Sequence, residues 1–164
     1  EEIEIDGYAF KIFKEALHMK IINVPVMKTN SELGVSGAIE NLSRLLDETA
    51  KREIYFGNIE NSLDKLAKAL DVFTIADATN GMQGQGPLSG ESAFLNLVFA
   101  GRNPSFIDAV FCEAFMLPLS KHVELPKNIE KIEIVGNELN AIKHRIKIPA
   151  EKIAKRKELF SKVA

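Results

Sequence analysis

The fold is decided by residues 20–52, KIINVPVMKTNSELGVSGAIENLSRLLDETAKR. Residues 20–24 form a short, β-branched apolar run, which is typical of a strand buried on both faces of a parallel sheet. The residues 27–37 that follow predict a loop. Apolar side chains then recur three or four positions apart in residues 36–52, and this spacing predicts a helix. The order strand, loop, helix is that of an α/β domain.

The remainder of the chain continues this alternation. Residues 58–70 carry apolar side chains at helical spacing, residues 71–79 and 94–101 predict strands, and residues 105–117 predict a helix after a turn at Asn103-Pro104. Helices that alternate with strands predict a mostly parallel sheet with helices on both faces, a three-layer sandwich. Such sheets bind ligands at the carboxyl ends of their strands.

The two ends of the chain add short elements. Residues 1–13 predict two strands joined at Asp6-Gly7, residues 131–139 predict a strand with a turn at Gly136-Asn137, and residues 150–164 predict a carboxyl-terminal helix. At 164 residues the chain has the size of one ordinary domain. We therefore predict a single α/β domain over residues 1–164.

Composition excludes several classes of function. The net charge of −2 comes from interspersed charges, so no surface for nucleic acid is predicted. Cys112 is the single cysteine, which excludes a cysteine-ligated iron-sulfur cluster built from this chain alone. No apolar stretch reaches the roughly 18 residues that a membrane span needs, and the first residues lack a signal-peptide pattern. The sequence predicts a cytoplasmic location without membrane contact.

The first candidate site follows the strand at 20–24. Lys28 and Thr29 come directly after it, and Gly34 and Gly37 lie where the next helix begins. Backbone N–H groups and a cation are therefore expected to converge on one anion, a carboxylate or phosphate. The motif is not a P-loop, because the lysine precedes the glycines. The alternative interpretation is a surface lysine beside a glycine-bearing helix cap.

The second candidate site follows the strand at 71–79. Asp77 ends an otherwise apolar run, where open α/β sheets place carboxylates that bind metal or ribose or accept protons. The alternative is that Asp77 caps the turn begun by Ala78 and Thr79. The glycine-rich residues 81–90 predict an irregular loop, either a lid or a backbone cradle for a ligand.

Candidate metal ligands are few. Asp77 is one, and Asp108 inside the helix predicted at 105–117 is the other. If Asp108 points inward, it needs a backbone N–H, a lysine or a metal as its partner. If it points outward, it has no role. The identity of any cofactor or metal stays unknown from the sequence.

Three stretches, in order, resemble domain-of-unknown-function family 362. IINVPVMKTNSELGVSGAIENL is similar to the family signature InvPklKTHsltgvTgalKNl, VFTIADATNGMQGQGPLSG to its ltIvDai.amegnGP..G stretch, and LNLVFAGRNPSFIDAVFCEAFML to its lilas.DpvAvDav...lmGl stretch. The positions that the resemblance singles out are Lys28, Thr29, Gly34, Gly37, Asn41, Asp77, Gly86, Pro87, Gly90, Pro104 and Asp108.

Two positions depart from the family pattern. Asn30 stands where the family usually has histidine, and Asn103 stands where it usually has aspartate. Amides do not exchange protons near neutral pH, so any proton transfer at these positions would be lost or relocated here. Asn30 stays among the predicted ligand-binding residues. The family's amino-terminal unit and its ferredoxin-like iron-sulfur module are not recognised in this sequence, so we expect a fragment of a larger family domain.

Three functional hypotheses follow. In the first, the domain binds a small anionic ligand or cofactor through Lys28 and the helix start near Gly37, with Asp77 as acid, base or metal ligand. Whether such a domain is an enzyme stays open. In the second, which the family's fusions imply, it is a non-catalytic accessory module of redox metabolism that docks to an iron-sulfur protein. In the third, it is a degenerate homologue retained for assembly.

Overall fold

The computed structural model describes residues 1–5, 7–56, 59–120 and 133–149. Its strands are β1 Glu2–Ile5, β2 Tyr8–Lys11, β3 Ile21–Asn23, β4 Val26–Asn30, β5 Gly34–Ser36, β6 Val72–Gln83 and β7 Glu91–Gly101. Its α-helices are α1 Ala38–Asn41, α2 Glu48–Phe56, α3 Ile59–Ala69, α4 Pro104–Ala114 and α5 Leu139–Ile142, and 3-10 turns occupy Lys14–Leu17 and Leu42–Leu45. This is an α/β fold, as the sequence predicts.

The long strand β6 lies at the centre of the main sheet. β3 and β4 follow one another along one edge of β6 and run parallel to it, whereas β7 runs antiparallel along the other edge. β5 pairs antiparallel with β4, and β1 and β2 form a separate antiparallel pair. The sheet is therefore mixed, and the mostly parallel arrangement is confirmed only for β3 and β4. The residues 84–90 between β6 and β7 are too few for a crossover, so the chain turns back as a hairpin.

The prediction of a loop at residues 27–37 is wrong, because these residues form the hairpin of β4 and β5. In β4 the side chains of Met27 and Thr29 are fully buried, whereas Val26 is exposed, so the chain alternates between the two faces of a sheet. Lys28 therefore lies on a strand. The irregular loop predicted at 81–90 is also shorter than expected, since β6 continues to Gln83.

The helix predicted over residues 36–52 is divided. α1 covers four residues and passes into a 3-10 turn, and α2 begins separately at Glu48. Asp47 starts the second helix, because its carboxylate accepts a hydrogen bond from the backbone N–H of Ala50 at 2.7 Å. The sequence predicts a strand at residues 131–139. Within this range, residues 133–135 do not form a strand, and a bend lies at Gly136-Asn137. The helix predicted at 150–164 lies outside the described residues.

The core lies on one face of the sheet. Along β6, Val72, Thr74, Ala76 and Ala78 are buried, and α1, α3 and α4 pack on this side. On the opposite face, which we call the open face, the exposed apolar side chains are Ile22, Val24, Val26, Phe73, Ile75, Phe94 and Val98. In the described part of the chain, helices thus cover one face. No described helix is long and apolar enough to cross a membrane.

Candidate functional site

The two predicted catalytic residues share the open face of the sheet. Val26 on β4 is the register partner of Asp77 on β6, and Lys28 lies two residues further along β4. Because the side chains of a strand alternate, Val26, Lys28 and Asp77 project from the same face. The register between β4 and β6 shifts between Val26 and Lys28, so that Lys28 pairs with Met82, five residues beyond Asp77 along β6. Lys28 and Asp77 therefore lie on one face of neighbouring parallel strands, on either side of this irregularity.

Lys28 is half-buried and makes no ion pair with any residue that the structure describes. Its register partner on β5 is Ser36, whose hydroxyl oxygen accepts a hydrogen bond from Asn30 Nδ2 at 2.8 Å. Asn30 and Ser36 share the face of Lys28 by strand alternation. Polar atoms therefore surround the base of the lysine, while the apolar residues of the open face begin at Val26.

Asp77 is held by the residue two positions after it. Its Oδ1 accepts hydrogen bonds from the backbone N–H of Thr79 at 2.8 Å and from the Thr79 hydroxyl at 2.7 Å. The hydroxyl bond, and secondly the backbone bond, hold the pKa of the Asp77 carboxyl below its usual value. This is the turn-capping interaction that the sequence offers as an alternative. A carboxyl with a pKa below its usual value is ionised at neutral pH.

Replacing Thr79 with valine is expected to raise the pKa of Asp77 towards its ordinary value, because the hydroxyl hydrogen bond is the largest cause of the lowering. The lowered pKa also stabilises the fold above the unfolded carboxyl value, and this stabilisation is lost as the pH falls through the folded value. In Thr79→Val, the free energy of unfolding should therefore decrease less steeply as the pH is lowered through the acid range. Carbon-13 NMR titration of Asp77 measures the shift, with Thr49→Val as the control; an unchanged Asp77 titration in Thr79→Val would contradict the assignment.

The helix start that was expected to hold a ligand anion holds Asp108 instead. Asp108 is fully buried, and its two carboxylate oxygens accept the backbone N–H groups of Ala38 at 2.6 Å and Ile39 at 3.0 Å. Gly37 makes this approach possible, because a Cβ at position 37 would overlap the Asp108 carboxylate and the end of the Met27 side chain. The protein's own carboxylate thus occupies these donors, and Asp108 and Gly37 serve the fold.

The glycine loop is fastened to β4. The Thr29 hydroxyl is fully buried and donates to the carbonyl of Gly84 at 2.9 Å, and the backbone N–H of Ser31 donates to the carbonyl of Gly86 at 2.9 Å. A Cβ on Gly86 would overlap the carbonyl oxygen of Thr29, and one on Gly90 would lie 2.6 Å from the carbonyl of Gln83. Thr29 and Gly86 therefore hold the loop against β4, next to Lys28 in the chain, and Gly90 packs the loop against the end of β6.

A buried amide network joins α1 to the sheet. Asn41 Nδ2 donates to Asn23 Oδ1 at 2.8 Å, and Asn23 Nδ2 donates to the carbonyl of Ala38 at 2.8 Å and to Thr74 Oγ1 at 3.2 Å. Asn41 was predicted to bind a ligand, but its amide contacts the protein. Asn23 is a structural residue that sequence reasoning missed; a polar residue inside the apolar run 20–24 was the signal that pointed to it.

The candidate metal ligands and the thiol can be located among the described residues. No group of three or more histidine, cysteine, aspartate or glutamate side chains is arranged to hold a metal ion there. Burial, and secondly the charge of Asp108, raise the pKa of the Cys112 thiol to about 12.

Gly34, a predicted ligand-binding residue, packs against Ser120. Its φ is +94°, and a Cβ built at this position would lie 2.8 Å from the serine hydroxyl.

Comparison with protein families matches residues 2–113 to the family model described as Domain of unknown function (DUF362). The chain belongs to this family. A search of curated proteins and a search of solved structures found no match. The matched span contains Lys28, Asp77, Asp108 and the glycine loop, so DUF362 membership covers every predicted site residue.

The two departures from the DUF362 pattern have structural roles in this chain. Asn30 Oδ1 accepts the backbone N–H groups of Glu32 and Leu33 at 2.8 and 2.9 Å, which closes the turn between β4 and β5. Asn103 is the N-cap of α4, where its Oδ1 accepts the N–H groups of Ser105 and Phe106. Asparagine and aspartate cap helices about equally well, so this exchange preserves the cap.

Proposed function

We propose that this DUF362 domain binds a small anionic ligand on the open face of its sheet, with Lys28 as the cation. The observation that carries the proposal is the placement of Lys28 and Asp77 on neighbouring parallel strands and on one face. A half-buried lysine with no ion-pair partner among the described residues provides an uncompensated positive charge, and such a charge attracts carboxylates and phosphates. The predicted cytoplasmic location stays a prediction.

The role that we infer for Asp77 is to orient the ligand. An efficient general base has a pKa close to the working pH, whereas the pKa of Asp77 is lowered by Thr79. An ionised carboxylate accepts hydrogen bonds, so Asp77 suits a hydroxyl or amino group of the ligand beside its anionic group. The preferred ligand class is therefore a small hydroxy or amino acid anion. This function requires no proton transfer by Asp77.

Thermal denaturation with malate and, separately, with inorganic phosphate tests this proposal. A ligand at 100 times its Kd stabilises the folded protein by about 2.7 kcal/mol, and we expect malate to raise the melting temperature. Lys28→Gln removes the cation but keeps much of the side chain, so the shift should disappear. Lys20→Gln changes an exposed lysine just before β3 and should leave the shift intact.

The Asp77→Asn variant tests whether Asp77 orients the ligand through a hydrogen bond or only lies near it. If Asp77 accepts a hydrogen bond from the ligand hydroxyl, Asp77→Asn weakens malate binding, while phosphate binding strengthens because a repelling charge is gone. A malate shift that survives Lys28→Gln would reject the proposed site. So would the absence of any shift with both probes at millimolar concentration.

The open face itself favours the second candidate function, an accessory module that docks to an iron-sulfur protein. Ile22, Val24, Phe73 and Ile75 are between 39% and 69% exposed and form an uncharged patch across β3 and β6. Contiguous apolar patches of this kind mark interaction surfaces. A further helical layer over this face would complete the three-layer sandwich. The iron-sulfur nature of the partner is implied by the family resemblance.

A further inference from the structure

A groove runs along the outer edge of β7. It has a volume of about 510 Å³ and touches the five consecutive residues from Leu97 to Gly101. Consecutive residues of a strand point to opposite faces, so a space that contacts all five lies along the edge of the strand. We call this space the β7 groove.

The edge of β7 in this groove is open for pairing. Its other edge pairs with β6 from Thr74↔Gly101 to Gln83↔Glu91, but no described strand pairs with the groove side. Exposed edges are usually protected by charged residues, proline or bulges. Residues 97–101, Leu-Val-Phe-Ala-Gly, contain neither charge nor proline, and the register shift of this strand pair lies before them. Among the described residues, the backbone groups of this edge therefore have no strand partner.

The walls of the groove suit an extended apolar segment. Phe106 and Val110 of α4 line the groove, and so do Ile134 and Val135. Ile134 is 45% and Val135 is 87% exposed, so an occupant would remove both from water. The charged residues of the lining are Arg102, which directly follows β7, and Glu133; no described residue pairs with either.

We propose that the β7 groove binds an extended apolar peptide segment of a partner protein, which adds a strand to the free edge of β7. The two charges complement a segment with an acidic group at the end beside Arg102 and a basic group towards Glu133, separated by neutral residues. A compact apolar molecule would bury the walls but leave unsatisfied those backbone groups of residues 97–101 that do not bond to β6. This site is separate from Lys28 and does not depend on the anion-binding proposal.

Fluorescence polarisation with the labelled heptapeptide KVTVTVE tests the groove. Two analogues carry N-methyl groups on alternate peptide nitrogens, one at the even and one at the odd positions. Only one set of peptide N–H groups faces β7 in a strand pair, so one analogue should lose at least tenfold in affinity while the other binds. The charge-reversed peptide EVTVTVK should bind more weakly, and Arg102→Gln should reduce this difference.

Protein variants provide the matched control. Ala100→Lys places a charge at the groove edge, and Ala9→Lys places the same charge on an exposed alanine of β2. We expect at least a tenfold loss of peptide affinity in the first and none in the second, and slower amide exchange of residues 97–101 in the bound native protein. Equal binding of both methylated analogues would show apolar capture without strand addition and overturn the proposal. Absence of binding at millimolar peptide would also overturn it.

Discussion

Replacing Asp108 with alanine is expected to lower the free energy of unfolding by about 3 kcal/mol, because two buried N–H donors lose a charged acceptor. These donors belong to Ala38 and Ile39 at the start of α1, and Asp108 itself is completely buried. Ala38 and Ile39 are also fully buried, so the substitution leaves buried donors without an acceptor. Urea unfolding followed by circular dichroism measures the loss.

Asp47 provides a graded control for this prediction. It also accepts a backbone N–H at a helix start, that of Ala50, but it is only half-buried. Asp47→Ala should therefore cost about 1 kcal/mol, the usual value of an exposed cap. If Asp108→Ala and Asp47→Ala lose equal stability, the buried carboxylate does not have the role that its hydrogen bonds indicate.

The contact between Asp108 and α1 also shows where sequence reasoning stops. The pattern of residues 105–117 predicts the helix correctly, but it cannot tell whether Asp108 points inward. Its partners lie 69 and 70 positions away along the chain, and no local pattern reports such a pair. The family resemblance singles out Gly37 and Asp108 separately. The structure explains both, since the glycine makes room for the carboxylate.

The strand β4 was missed for a related reason. Thr29 and Asn30 are polar, and polar residues between apolar runs usually predict a loop. Here both residues are buried because backbone groups satisfy their side chains. Thr29 donates to the distant carbonyl of Gly84, and Asn30 accepts from the N–H groups of the turn residues Glu32 and Leu33. By contrast, β6, β7, α3 and α4 were predicted correctly, since each buries a regular set of apolar side chains. β3 is also a strand, but its predicted burial on both faces is wrong, because Ile22 and Val24 are exposed.

The direction of β7 could not be deduced from its own sequence. An apolar strand that follows another strand can pair with it in a parallel or an antiparallel direction. Only the length of the connection between the two strands decides which direction is possible. The sequence suggested a longer irregular loop at 81–90, whereas the structure leaves residues 84–90 between the strands. A connection of this length permits the antiparallel hairpin and excludes the parallel crossover. The antiparallel β7 in turn leaves its other edge open to the β7 groove.

The residues that the family resemblance singles out fall into two groups. Thr29, Asn41, Gly86 and Asp108 make buried contacts that hold β4, α1 and the glycine loop together. Lys28 and Asp77 instead reach the open face. The first group fixes the strand on which Lys28 lies, so these residues influence a ligand through the position of that lysine. Substitution of a residue in this buried group should therefore lower the stability of the fold first, and change ligand binding only as a consequence.

Gly86→Ala provides the sharpest test of this division, and it is expected to lower the free energy of unfolding by about 2 to 3 kcal/mol. The added Cβ would overlap the carbonyl oxygen of Thr29, a backbone atom that cannot rotate away. Gly101→Ala is the control, because its Cβ would meet only the end of the Ile107 side chain at 3.2 Å. That variant should stay within about 1 kcal/mol of the parent protein. Equal unfolding midpoints in urea for the two variants would contradict the close packing of the loop on β4. A lower midpoint for Gly86→Ala, together with weaker malate binding under conditions where it is still folded, would show that the loop positions Lys28 as well as stabilising the sheet.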